Sequence, residues 1–128
     1  MTSRFLWICL GGALGTGARY LISLWAIAAF GTAFPWGTLI VNVAGSFLLS
    51  AIMEVALTTH AIAPTLRLAL TIGVLGGFTT YSTFNYETLA SVRSGAWWLG
   101  VANVILTILL CLAAGAAGIG AGRWAGGS

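Results

Sequence analysis

Residues 73–84, GVLGGFTTYSTF, crowd Gly73, Gly76 and Gly77 against five hydroxyl side chains, Thr79 to Thr83, inside an otherwise apolar stretch of membrane-spanning length. A helix there is expected to be interrupted. Non-helical backbone survives in hydrocarbon only where protein buries it or where it lines a polar path or an ion site, because each free N–H and C=O otherwise costs several kcal/mol. A binding or conduction site is therefore the first expectation. Ser82 and Thr83 supply hydroxyls, and Tyr81 and Phe84 place two rings three residues apart. Ring edges carry partial positive charge and can hold a small anion loosely, as conduction requires, although two such rings could equally just pack.

Upstream, Thr38, Asn42, Ser46, Ser50 and Glu54 recur every fourth residue. On a 3.6-residue helix that spacing drifts about 40° per step and makes one slowly winding polar stripe. The Asn42 amide sits deepest, and its NH₂ is a neutral donor able to replace part of an anion's hydration shell. The other reading is hydrogen-bonded glue between helices. Asn103, Thr107 and Cys111 repeat the pattern downstream, and two such stripes facing a broken helix favour a hydrogen-bonding track. Glu87, an intramembrane carboxylate, is either functional or an anchor for hydroxyls or an arginine. Arg19, equally costly in hydrocarbon, lines an aqueous vestibule or snorkels to the interface.

Composition says what must hold these groups in place. The 128 residues are 59% hydrophobic and 5% charged, too little polar surface for a water-soluble domain. Five arginines stand singly against Glu54 and Glu87, without the clustered basic face that nucleic acid needs. No nucleophile–base pair, metal-ligand cluster or phosphate loop points to an enzyme. Because one span takes about 20 apolar residues, the chain is read as a single all-α transmembrane domain of four helices, at about 5–30, 36–57, 65–92 and 96–122. The third is the broken one. The apolar run resumes after Arg19, which argues against a cleaved signal. Cys9 and Cys111 fall inside spans and are expected to be buried free thiols. Gly11 with Gly15, Gly73 with Gly77 and Gly118 with Gly122 carry helix-packing spacing.

Four spans put Arg4, Arg67 and Arg123 on one side, against Arg93 alone or Arg93 with Arg19 on the other, three against one or two. So weak a bias barely fixes orientation, and a chain inserting both ways could pair antiparallel with itself. One four-helix subunit also has little interior for a lined path, so an oligomer is expected.

GGALGTGARY at 11–20, GTLIVNVAGSF at 37–47 and GVLGGFTTYSTFNYE at 73–87 together closely resemble the Fluc fluoride channels, also called the CrcB family. The resemblance implies an antiparallel, dual-topology homodimer of four-helix subunits in the bacterial inner membrane. It further implies fluoride pores, passive fluoride export and a structural sodium ion at the dimer centre. It makes Asn42 the pore asparagine and Tyr81 and Phe84 the aromatic pair. Gly76 and Thr79 become the sodium-holding carbonyls, and Thr38, Asn103, Thr107 and Cys111 the polar track. Arg19 matches the first-span arginine and Glu87 the acid after the rings. Tyr81 departs from the family's usual phenylalanine, and Cys111 is a weaker donor than serine. The competing class is a small proton-coupled multidrug exporter, which depends on a first-span carboxylate that this chain lacks.

Overall fold

The computed structural model describes residues 1–127. The described residues are helical with short connections and contain no strand, as the composition requires. Helix α1 (Thr2–Phe30) ends on Gly31, whose φ of 82° lies in the left-handed region that glycine enters without steric cost. Helix α2 (Trp36–Thr59) ends on His60, also left-handed at φ 55°. Helix α6 (Trp97–Ala125) follows a turn in which Gly95 adopts φ 91°. These three helices are long and apolar enough to cross a membrane. At 29 residues α1 runs about 44 Å, longer than a hydrocarbon core of about 30 Å, so it must tilt or project into the interface.

The third segment is assembled from pieces. Helix α3 (Pro64–Leu68) starts with proline at its first position, where the missing N–H has no partner to lose. A π-helical stretch (Ala69–Leu75) and one turn, α4 (Gly76–Phe78), continue it. The chain then goes extended at Thr79 (φ −91°, ψ 158°) and Thr80 (φ −153°, ψ 118°) before α5 (Tyr81–Arg93) begins. At 13 residues α5 reaches about 20 Å and cannot span alone. The expected interruption is present, at two β-branched threonines. The neighbouring glycines stay helical and do a different job.

That job is backbone contact. A Cβ on Gly73 would stand 2.7 Å from the Ile8 carbonyl oxygen, and one on Gly77 would stand 2.6 Å from that of Gly12. Gly11 and Gly15 meet the same segment from the α1 side, through the backbone of Ala69 and Val74. On the other flank Gly118 and Gly122 press α6 onto α2 at Phe47, Ala51 and Glu54. All three glycine pairs are thus packing seams, as close approach without a hydrophobic drive demands. The core is small, with Val41 and Asn103 its largest fully buried side chains, while large apolar residues of α1 and α6 such as Leu14 and Leu109 face outward. An apolar exterior is what lipid selects, and the buried side chains are themselves mostly apolar, with Thr38 and Asn103 the polar ones.

Candidate functional site

The extended pair Thr79–Thr80 leaves carbonyls that a continuous helix would have paired, and their partners can be followed one by one. Thr80 N–H, the regular i+4 donor to the Gly76 carbonyl, donates instead to Asn42 Oδ1 at 2.8 Å. The Thr80 carbonyl accepts from Asn42 Nδ2 at 3.1 Å. Thr83 N–H, which would have served the Thr79 carbonyl, donates to Thr80 Oγ1 at 3.2 Å, so Thr80 caps α5 with its own side chain. The Gly77 carbonyl accepts from Arg19 Nε at 2.9 Å. Arg19 is thereby tied to the middle of the third segment while its side chain stays half-buried. It belongs to neither side in the charge count. The carbonyls of Gly76 and Thr79 are the two whose helical donors have both been taken elsewhere. Among the described residues no three His, Cys, Asp or Glu side chains gather to bind a metal, so carbonyl oxygen is the hard-cation donor on offer.

Beside the break lies a cavity of about 500 Å³ reached by Asn42, Ser46, Tyr81, Phe84, Thr107 and Cys111. The Tyr81 and Phe84 rings stand edge to face, centroids 5.7 Å apart and planes at 60°. Phe84 is buried, whereas Tyr81 is 77% exposed. Cys111 is a free thiol on this cavity wall; Cys9 is also free but exposed on α1, not buried as expected.

The α6 stripe continues away from the cavity. Asn103, only 1% exposed, donates from Nδ2 to Thr88 Oγ1 at 3.0 Å and accepts from Thr107 Oγ1 at 3.3 Å. Thr88 in turn donates to the Phe84 carbonyl at 2.8 Å. Thr88 was not singled out in the sequence, though its place one residue after Glu87 and one turn after Phe84 carried the signal. A second cavity of about 380 Å³ holds Thr38, Glu87, Ser91 and Ser94 near the α1–α2 connection. Glu87 keeps one carboxylate oxygen buried without a hydrogen bond, and Thr38 is buried beside it.

Not every expected residue converges. Ser82 is exposed and lines neither cavity, and the Thr83 hydroxyl accepts from Thr80 Oγ1 at 3.1 Å. The α2 stripe divides: Thr38, Asn42 and Ser46 face the cavities, while Ser50 packs on Gly118 and Glu54 pairs with Arg123 at 3.2 Å. Its far half is the interhelical glue, because the drift per turn carries it round to α6.

Comparison with known proteins fits this geometry. Residues 6–119 match the family described as CrcB-like protein, Camphor Resistance (CrcB). A protein of Anaeromyxobacter dehalogenans named Fluoride-specific ion channel FluC is 57% identical over 125 residues, 98% of this chain and 99% of its own. Proteins of the same name from Sorangium cellulosum and Geobacter sulfurreducens are 55% and 51% identical, over 91% and 94% of this chain and 91% and 98% of theirs. The chain belongs to the CrcB family.

Proposed function

We propose that this chain forms a fluoride-selective channel through which fluoride leaves the bacterial cytoplasm passively across the inner membrane. The observation that carries it is the meeting of Asn42, Tyr81 and Phe84 on one cavity at a break in a membrane-spanning segment. The relatives named Fluoride-specific ion channel FluC support the same ion. Fluoride is small and strongly hydrated. A narrow path of neutral donors and ring edges offsets its dehydration without trapping it, whereas a lysine would hold it, and larger halides gain less. Asn42, Tyr81 and Phe84 form the centre of that path. Thr107 and the Asn103–Thr88 network continue it along α6, and Thr38 and Glu87 mark its hydroxyl-lined mouth. The path contains no catalytic step.

The working unit is a homodimer assembled antiparallel. Tyr81 is 77% exposed on one chain although it sits at mid-span, as expected if a second copy completes its surroundings. With Arg19 removed from the count, Arg4, Arg67 and Arg123 still oppose only Arg93, a bias weak enough for both orientations. The Gly76 and Thr79 carbonyls suit a structural sodium ion at the dimer centre, which would supply fixed positive charge beside the path.

The experiment is growth of a bacterium stripped of its own fluoride export, in fluoride medium, with and without this chain. Restored growth is expected from the wild type and not from Asn42→Leu. Failure of the wild-type chain, made and inserted in the membrane, would contradict the proposal and leave proton-coupled export as the next class to test.

A further inference from the structure

We propose that Asn42 acts on the path mainly as a positioning residue, a two-point clamp on the Thr80 backbone that holds the helix break open and thereby sets the Tyr81 and Phe84 rings. Its amide oxygen accepts from Thr80 N–H at 2.8 Å and its nitrogen donates to the Thr80 carbonyl at 3.1 Å. A side chain that exchanges both bonds with one extended residue reproduces a rung of an antiparallel ladder, and Thr80 has the dihedrals of a strand (φ −153°, ψ 118°). Thr80 thus pairs with a side chain, there being no strand among the described residues to pair with.

The donor count follows. An asparagine amide carries two N–H groups, and one is committed to Thr80. Only the other remains for an ion in the cavity. Turning the amide to offer both would strip Thr80 of both backbone partners at mid-membrane, where each unpaired group costs several kcal/mol. Helix α2 is shaped for this contact. One turn beyond Asn42, a Cβ on Gly45 would collide with the Thr79 methyl group, so the glycine is what lets α2 come close to the break.

Without the clamp, Thr80 N–H would be free to return to the Gly76 carbonyl and extend the preceding helical turn through the break. Tyr81 follows Thr80 directly and Phe84 lies one turn on, so both rings would move with it. The consequence for flux rests on the proposed fluoride path. The clamp itself does not, and it can be tested with no fluoride present.

The test is hydrogen–deuterium exchange and 19F spectroscopy on the purified full chain in fluoride-free buffer, labelled with 3-fluorotyrosine at its three tyrosines. In Asn42→Ala the Thr80 amide should exchange at least about tenfold faster, the loss expected for one hydrogen bond. The Tyr81 resonance should shift while Tyr20, on α1, stays in place. Asn42→Asp keeps an oxygen that can accept from Thr80 N–H and should recover most of the protection. Should Asn42→Ala fail to fold, Asn42→Ser, too short to reach Thr80, carries the same expectation. Wild-type exchange at Thr80 together with an unmoved Tyr81 resonance in either folded variant would overturn the clamp and leave Asn42 an ion contact alone. A wild-type chain that shows the clamp but passes no fluoride would instead overturn the channel proposal.

Discussion

Arg19 on α1 donates from Nε to the carbonyl oxygen of Gly77, 2.9 Å away and 58 residues on in sequence. It places a permanent positive charge at the C-terminal end of the helical half that stops at Phe78, where orphan carbonyls concentrate negative potential. A charge that looks out of place in an apolar span is therefore accounted for by a helix end that could not otherwise be buried.

Removing that charge should loosen the break. Arg19→Met is expected to cost roughly 1.5–3 kcal/mol, the value of a hydrogen bond involving a charged group. Arg19→Lys should lose less, since an ammonium can still serve one carbonyl as a point charge. Thermal unfolding of the purified chain in detergent checks the order; equal stability of Arg19→Met and the wild type would speak against the bond.

The two rings should respond differently to their chemistry and to their presence. Tyr81→Phe keeps the ring edge and should leave fluoride flux within about threefold of wild type, while Phe84→Leu removes it and should lower flux about tenfold, in line with the worth of a ring contact. Flux measured in vesicles at equal protein density decides between them. A Tyr81→Phe variant as defective as Phe84→Leu would assign the function to the hydroxyl instead.

Thr88 holds the amide of Asn103 in one orientation. Thr88→Val keeps the shape but leaves a nearly inaccessible amide nitrogen without its acceptor, a cost of about 1–3 kcal/mol, whereas Thr88→Ser should be close to neutral. Denaturation of the two variants side by side tests this, and matching stabilities would show that Asn103 finds another partner.

Glycines divide by what surrounds them. Gly77→Ala drives a methyl to 2.6 Å from the Gly12 carbonyl and should abolish the yield of folded protein. Gly17 and Gly120 have nothing within 4 Å, so alanine there should be neutral or stabilise the helix by up to about 1 kcal/mol. Size-exclusion profiles and melting temperatures of the three variants should separate them cleanly.

The sequence made the helical class, the interruption and the cavity residues readable because each is written locally, in apolar runs, in hydroxyl clustering and in four-residue spacing. Asn42, Tyr81, Phe84, Thr107 and Cys111 do share one cavity. What was not readable depends on the rotation of one helix against another. Spacing alone cannot say where the α2 stripe turns from the cavity to α6, so Ser50 and Glu54 looked like continuations of the track. Nor could it say that Arg19 reaches Gly77, because that bond joins two segments brought together by the Gly11, Gly15 and Gly73 seam. The π-helical stretch leaves no compositional mark distinct from an ordinary glycine-containing helix.

Anion efflux from liposomes bearing the purified protein tests the central claim most directly. The liposomes are loaded with potassium fluoride or potassium chloride, and valinomycin is added to release the counter-ion. Rapid, valinomycin-dependent fluoride loss with chloride loss at the protein-free background is the predicted result; no fluoride loss from demonstrably folded protein, or equal loss of both anions, would contradict a selective fluoride path.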